Sequence, residues 1–216
     1  MQDDEPNATP DSDRVVELYE LVCENPTAAR DSIDEIAIAL LSSEGDTQRI
    51  AAKAVREISQ SEPAVLDDIF NPIVSALESG SNIREITAEA LARSRDSLPD
   101  DYYYHNYGRL CDILEKSDSL DTRAWILLSL TPVVGYGKEY TERPLLVVDD
   151  LLDASRWLPE IAALVYLREV AAYYPEEVKP YSETINELKD GASQSIEEAC
   201  DGVLDTLSKS LSKSSS

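Results

Sequence analysis

Apolar residues recur along this chain at the three- and four-residue spacing of a helix face, and the faces themselves recur. Ile33, Ile36, Ala37 and Leu40 form one amphipathic stripe. Shifted by 37 residues it becomes Phe70, Ile73, Val74 and Leu77, and shifted again Tyr107, Leu110, Cys111 and Leu114. Each stripe leads through a short polar turn into a second helical stretch. These second stretches start at Gln48, Arg84, Arg123, Glu160 and Glu197, which are 36, 39, 37 and 37 residues apart, with an apolar residue seven places on. A period in that range is the signature of stacked helical hairpins. The inward positions of the second stretches are small, Ala51, Ala54, Val55 and Ile58, then Thr87, Ala90, Leu91 and Ser94. Small residues let neighbouring helices approach closely.

No stretch alternates with period two long enough to predict a strand. The pattern predicts an all-α, right-handed α-solenoid of about five helix pairs plus one N-terminal capping helix. That helix starts at Asp13 and carries Val15, Leu18, Tyr19 and Val22 on one face. Pro26 and Pro63 fall at the starts of first helices, whereas Pro72 falls inside one and predicts a kink. Thr131 to Thr141 reads as a long connection with two glycines, after which Val147, Val148, Leu151 and Leu152 resume the first-helix stripe. Trp157 to Tyr174 reads as the longest second helix. The domain organisation expected is a disordered acidic N-terminus over 1–12, one helical domain over 13–208, and a disordered Ser/Lys tail over 209–216.

The chain resembles the HEAT-repeat (armadillo-like) superfamily over about residues 26–208. The resemblance rests on the period, the prolines and a turn motif. In that family a turn Asp or Asn precedes an Arg at the start of the second helix, and these residues ladder between neighbouring repeats. Asp121 with Arg123 and Asn82 with Arg84 match. Asp46 is followed by Gln48, with Arg49 one residue later, and the fourth repeat has Leu158 and Glu160, so the ladder is expected to break there.

Charge narrows the partners. With 43 acidic against 19 basic side chains the formal net charge is −24, which repels nucleic acid and anionic membranes in dilute salt. High ionic strength makes such an excess tolerable. A cytoplasmic protein of an organism with a salty interior, such as a haloarchaeon, is expected. The N-terminal stretch lacks the apolar core of a signal peptide, and no apolar run approaches the roughly 18 residues of a membrane span. Cys23, Cys111 and Cys200 are widely spaced within apolar helical patterns and read as buried small hydrophobes. His105 stands alone in the run Tyr102 to Tyr107 with no nucleophile or ligand set around it, and those rings read as packing. The pairs Asp67-Asp68, Asp100-Asp101 and Asp149-Asp150 read as solvated surface. No phosphate-binding, dinucleotide or catalytic-serine motif is present, and neither cofactor nor metal is expected.

The resemblance implies that the second helices line the concave side. The positions facing away from the core there are Arg49, Lys53 and Arg56, then Glu85, Glu89 and Ala92, then Ala124, Leu128 and Thr131, then Ile161, Val165 and Arg168. This stripe runs from basic through acidic to apolar. Apolar residues on a wet face predict a groove for another protein, with Trp125, Leu128, Ile161, Val165 and Arg168 as anchor and Arg49, Lys53 and Arg56 as an orienting charged end. The other reading is that Val133, Val134 and Tyr136 fold back and make the stripe core. The expected function is a non-enzymatic interaction scaffold or adaptor. The alternative is a HEAT-like enzyme, a DNA glycosylase or a bilin lyase-type protein. The glycosylase would need basic residues on successive second helices, where this chain has them only in its first repeat.

Overall fold

A computed structural model describes residues 10–79 and 82–214, and among them every regular element is helical. The stretch 1–9 and the last two residues, to which the sequence assigns disorder, lie outside the described residues. The chain divides into two compact units, Met1–Tyr102 and Tyr103–Ser216.

In the first unit, helix α1 spans Ser12–Glu24. Its cap is Asp11 rather than Asp13, with Asp11 Oδ1 accepting the Arg14 amide at 2.8 Å. Then come α2 (Ile33–Leu40), α3 (Gly45–Ser61), α4 (Phe70–Ser79) and α5 (Arg84–Ser94). The second helices α3 and α5 pack side by side, and α1 lies along α3. The capping helix therefore extends the row of second helices by one. The first helices α2 and α4 form the other layer. Ile33, Ile36, Leu40, Phe70, Ile73, Val74 and Leu77 are buried between the layers, as the repeated stripe predicts.

The repeat holds more than the pair read from the sequence. A single-turn-to-two-turn 3-10 segment precedes each first helix of this unit, Pro26–Ser32 and Pro63–Ile69, and each opens on proline. The extra element escapes a search for amphipathic periodicity because it is too short to show one. It also moves the start of α4 to Phe70, which puts Pro72 in the first turn, where a missing amide hydrogen costs nothing and no kink is required.

The second unit starts within α6 (Asp100–Lys116). It continues through α7 (Leu120–Ser129), a 3-10 segment Thr131–Tyr136, α8 (Glu139–Leu145), α9 (Val148–Leu152) and α10 (Trp157–Tyr173). It ends with α11 (Pro175–Val178), a 3-10 turn Lys179–Tyr181, α12 (Ser182–Lys189) and α13 (Gln194–Ser214). The second helices α7, α10 and α13 stand side by side. The connection expected over 131–141 is therefore mostly helical, with Val133 and Val134 fully buried. The longest second helix is α13, not α10, and it runs on through Ser214 into the stretch that composition assigns to a disordered tail. Leu207 and Leu211 fall one helical turn apart there and carry the amphipathic pattern past the Ser/Lys composition.

Polar residues at the start of the second helices tie each hairpin. Gln48 Nε2 donates to the Leu40 carbonyl at 3.1 Å, Arg84 Nε to Leu77 at 2.8 Å and Arg123 Nε to Ser117 at 2.7 Å. Each thus closes a carbonyl at the end of the preceding first helix, which has no partner within that helix. The ladder does not break at the fourth repeat. Arg156, just ahead of α10, reaches Asp121 Oδ2 at 2.6 Å, while Arg123 Nη1 reaches Asp150 of α9 at 3.0 Å. The guanidinium comes from four residues before Glu160, where the repeat frame would put it, so the alignment misses it.

Small residues fill the contacts between second helices, with Ala51, Ala52, Ala54, Ala88, Ala90, Ala162, Ala163 and Ala171 all buried. The hydroxyls buried among them are satisfied by backbone. Ser94 donates to the Ala90 carbonyl at 2.9 Å and Ser129 to Ile126 at 2.7 Å. Cys111 and Cys200 are buried as expected, but Cys23 is exposed, one residue beyond the buried Val22 on α1.

Candidate functional site

The outward side of α10 carries an apolar strip. Its helical phase brings Trp157, Ile161, Val165, Arg168 and Ala172 to one side, opposite the buried Ala163, Tyr166, Leu167 and Val170. Ile161 and Val165 are half-buried, and Arg168 is exposed. The Arg168 stem lies along α13, its Cδ 3.5 Å from where a Cβ on Gly202 would stand. A Cβ there would make only ordinary van der Waals contact with the stem.

On α7 the apolar stripe does not stay outside. Leu128 is only 6% exposed and Ala124 is fully buried. The helix ends at Ser129, and the chain turns at once into Thr131–Tyr136, which packs against both α7 and α10. Trp125 remains half-buried beside Asp121 on the open part of α7. Of the five residues expected to form an apolar anchor, Leu128 thus belongs to the core, and Trp125, Ile161, Val165 and Arg168 remain accessible. The connection covers Leu128 on α7 and leaves Ile161 and Val165 on α10 half-buried.

The start of α10 adds a feature that the repeat frame did not single out. Trp157 is 58% exposed, and its indole N–H donates to Ser195 Oγ at 3.1 Å. Around it lies a depression of about 370 Å³ lined by Arg156, Glu160, Asp190, Ser193 and Ile196, among others. Ser155 enters the turn at φ 50°, a left-handed conformation that costs a non-glycine residue energy, and Gly191 across the depression takes φ 84°. Partial burial pushes the Glu160 carboxyl above its ordinary range, against a backbone hydrogen bond at Arg156 that favours the charge.

In the first unit the basic stripe on α3 is largely neutralised. Arg49 pairs with Asp46 at 3.0 Å and Arg56 with Glu57 at 3.3 Å, which leaves Lys53 as the cation of the stripe without an ion-pair partner among the described residues. On α5 Glu85 is exposed, Glu89 pairs with Arg93 at 2.8 Å, and Ala92 is buried. The orienting basic end expected from the sequence is therefore close to one net charge, because acids one residue or one turn away share its face.

Among the described residues no group of three or more His, Cys, Asp or Glu side chains is placed to hold a metal ion, and His105 is exposed, edge-on to Tyr104 with centroids 5.4 Å apart. No helix among the described residues is long and apolar enough to cross a membrane.

No protein-family model matches the sequence, and no curated protein matches it. Solved structures do match in three dimensions. A designed armadillo repeat protein in complex with the peptide (KR)4 superposes with a TM-score of 0.72 at 11% identity, covering 94% of this chain and 95% of that one. A computationally designed armadillo repeat protein for modular peptide recognition gives 0.70 at 10% identity, over 90% and 92% of the two chains. An engineered protein gives 0.71 at 16% identity, over 92% and 90%. At such identities the likeness concerns fold alone, and the fold is an all-α solenoid of armadillo/HEAT-like helical repeats.

Proposed function

We propose that the chain is a non-enzymatic interaction scaffold that takes an extended segment of another protein along the outward side of α10 in its Tyr103–Ser216 unit. The observation that carries this is the strip of Ile161 and Val165 between exposed Trp157 and Arg168. Apolar side chains held half-open on rigid helices, with an aromatic at one end and a cation at the other, are the elements of a peptide groove. Two designed proteins of the same fold are described as bound to a peptide or built for peptide recognition, which supports the reading. The glycosylase alternative finds no support on α3 and α5, where carboxylates hold Arg49, Arg56 and Arg93. Nucleic acid is therefore not the expected partner, and the cytoplasm of a salt-rich cell remains the expected setting.

A displayed library of random peptides, selected on the wild-type protein at high KCl, tests this. The comparison is an Ile161→Asp, Val165→Asp double variant, whose positions are open enough to accept carboxylates without unfolding; Leu128 is left alone because it is core. Peptides enriched on wild type and lost on the double variant, with an acidic residue placed to meet Arg168, are expected. Peptides that bind both proteins equally would overturn the reading.

A further inference from the structure

A second surface of the Tyr103–Ser216 unit lies on first-helix elements and has no role in the scaffold reading. Its spine is α8 with the residue that follows it. Leu146 is 75% exposed, the most open large hydrophobic side chain among the described residues. It stands in a groove of about 550 Å³ whose other walls include Glu142, Asp149, Glu177, Pro180 and Tyr181. The Tyr181 hydroxyl donates to the Leu145 carbonyl at 3.3 Å and fixes one wall.

The charges in this groove are unbalanced. Lys138 Nζ reaches Glu177 at 2.6 Å, but Glu142 and Asp149 have no basic partner within ion-pair distance among the described residues. The cation next in sequence is already committed, since Arg143 Nε lies 2.6 Å from Glu115 and its Nη2 2.7 Å from Asp112. The free carboxylates do not form a compact ligand set for a metal ion. They are strung along a wall, which suits several cations on an extended chain better than one ion.

Aromatic rings continue the surface from the other side of α8. Tyr107 meets Tyr140 edge-on at 5.0 Å, Tyr140 meets Tyr104 at 5.2 Å, and Tyr104 stacks on Tyr136 at 4.9 Å. Tyr107 is anchored by its hydroxyl, which donates to the Glu139 carbonyl at 3.4 Å. Tyr103 is fully buried, whereas Tyr136, stacked on Tyr104, keeps 45% of its surface exposed at the end of the row. Tyrosine faces flanked by carboxylates attract guanidinium and ammonium groups by two mechanisms at once.

We infer that the groove and the tyrosine row on either side of α8 form a docking site for a basic segment of a partner protein, one carrying arginines or lysines around an apolar residue. The apolar residue sits against Leu146, cations meet Glu142 and Asp149, and a further cation lies over Tyr136. Charge complementarity selects this occupant. A second copy of the chain, at a net charge of −24, is the least suited protein to approach the groove.

The probe is a short, end-capped, fluorescein-labelled peptide of arginines and leucines, with its citrulline counterpart as the neutral isostere, read by fluorescence anisotropy at fixed KCl. The variants are Glu142→Gln with Asp149→Asn, Leu146→Ser, and Tyr136→Ala, all at accessible positions. A double variant of equal charge change elsewhere on the unit, Glu187→Gln with Asp205→Asn, reports diffuse attraction. The expected result is arginine-dependent binding that falls by about fivefold or more in each groove variant and stays within about twofold of wild type in the control. An equal loss in the control, no binding by wild type, or loss confined to the Ile161→Asp, Val165→Asp protein would each overturn the inference. The last outcome would also move basic segments onto the second-helix face, so the two proposals fail separately.

Discussion

Replacing Arg123 by methionine isolates the contact that closes the α6–α7 hairpin. Methionine matches arginine in helix propensity and keeps an unbranched apolar stem, so the change removes little besides the guanidinium. Two interactions are lost. The Nε bond to the Ser117 carbonyl, 2.7 Å long, comes from a charged donor, and Ser117 is only 2% exposed, so water replaces the donor poorly. A bond of that kind contributes about 1.5–3 kcal/mol. The pair with Asp150 is on a carboxylate whose side chain is 65% exposed, and adds about 0.5 kcal/mol at most. The sum, about 2–3 kcal/mol, corresponds to roughly 5–10 °C in Tm for a chain of this length. The same substitution at Arg84 should cost slightly less, since its Nε bonds the Leu77 carbonyl and no ion pair accompanies that bond among the described residues, and Gln48→Met about 1 kcal/mol, because its donor is neutral. Arg123→Lys should recover less than half, as one ammonium cannot serve both acceptors. The assay is urea unfolding at constant KCl, which leaves ionic strength unchanged; Arg30→Met, at an exposed position, is the control. Losses at Arg123 within about 0.5 kcal/mol of that control, or three equal losses at Gln48, Arg84 and Arg123, would refute the capping role.

Salt and pH supply two further expectations. Even if each of the 19 basic side chains held its own carboxylate, the 43 acids would leave 24 without a partner, so Tm should rise by several degrees as KCl goes from about 0.1 to 1 M and the screening length falls from about 10 to 3 Å. Differential scanning fluorimetry reads it, and a flat or falling Tm would count against salt adaptation. Glu160→Gln should stabilise the protein at neutral pH. Burial raises this carboxyl above its unfolded value, so the folded state binds its proton more tightly and loses stability as pH rises through the raised value. The amide lacks that loss, and its advantage should vanish below the ordinary carboxyl range; an advantage that persists into acid would refute burial as the cause.

The parts of this fold legible in the sequence are those that repeat with amplitude. Ile33 to Leu40 and Phe70 to Leu77 could be overlaid because the same face is buried twice in the same register. What stayed hidden is short or out of frame. The 3-10 segments Pro26–Ser32 and Pro63–Ile69 are too brief for a helical period, although their prolines marked where they begin. Arg156 performs a ladder contact from outside the ladder position, so position alone could not find it. At the candidate site, phase on α10 put Ile161 and Val165 on its outward side, where they are half-buried, while the same frame put Leu128, which is core, on the open side. Which side of a short helix stays open depends on the segment that follows it, and no periodicity within α7 records where Thr131–Tyr136 turns. The groove at Leu146 had no sequence signal either. A leucine two residues after a proline, within an apolar run, reads as core, and only its place in three dimensions shows it to be outside.

The charge of the chain and the chemistry of the two surfaces constrain one another. At molar salt, attraction between separated charges fades within about 3 Å, so carboxylates cannot draw a partner in from a distance. What survives such screening is contact: apolar area removed from water, rings against cations, and ion pairs close enough to exclude solvent. Both surfaces are built from contact groups, Trp157, Ile161 and Val165 on α10, and Leu146, Tyr136 and Tyr181 around α8. The free carboxylates of the groove then act chiefly by exclusion. A segment that places an acidic side chain against Glu142 or Asp149 brings like charges together, and one that places a neutral polar group there dehydrates the carboxylate without replacing its hydrogen bonds; a cation alone avoids both costs. Selectivity for basic segments thus follows from what the groove penalises, and it persists where long-range steering does not.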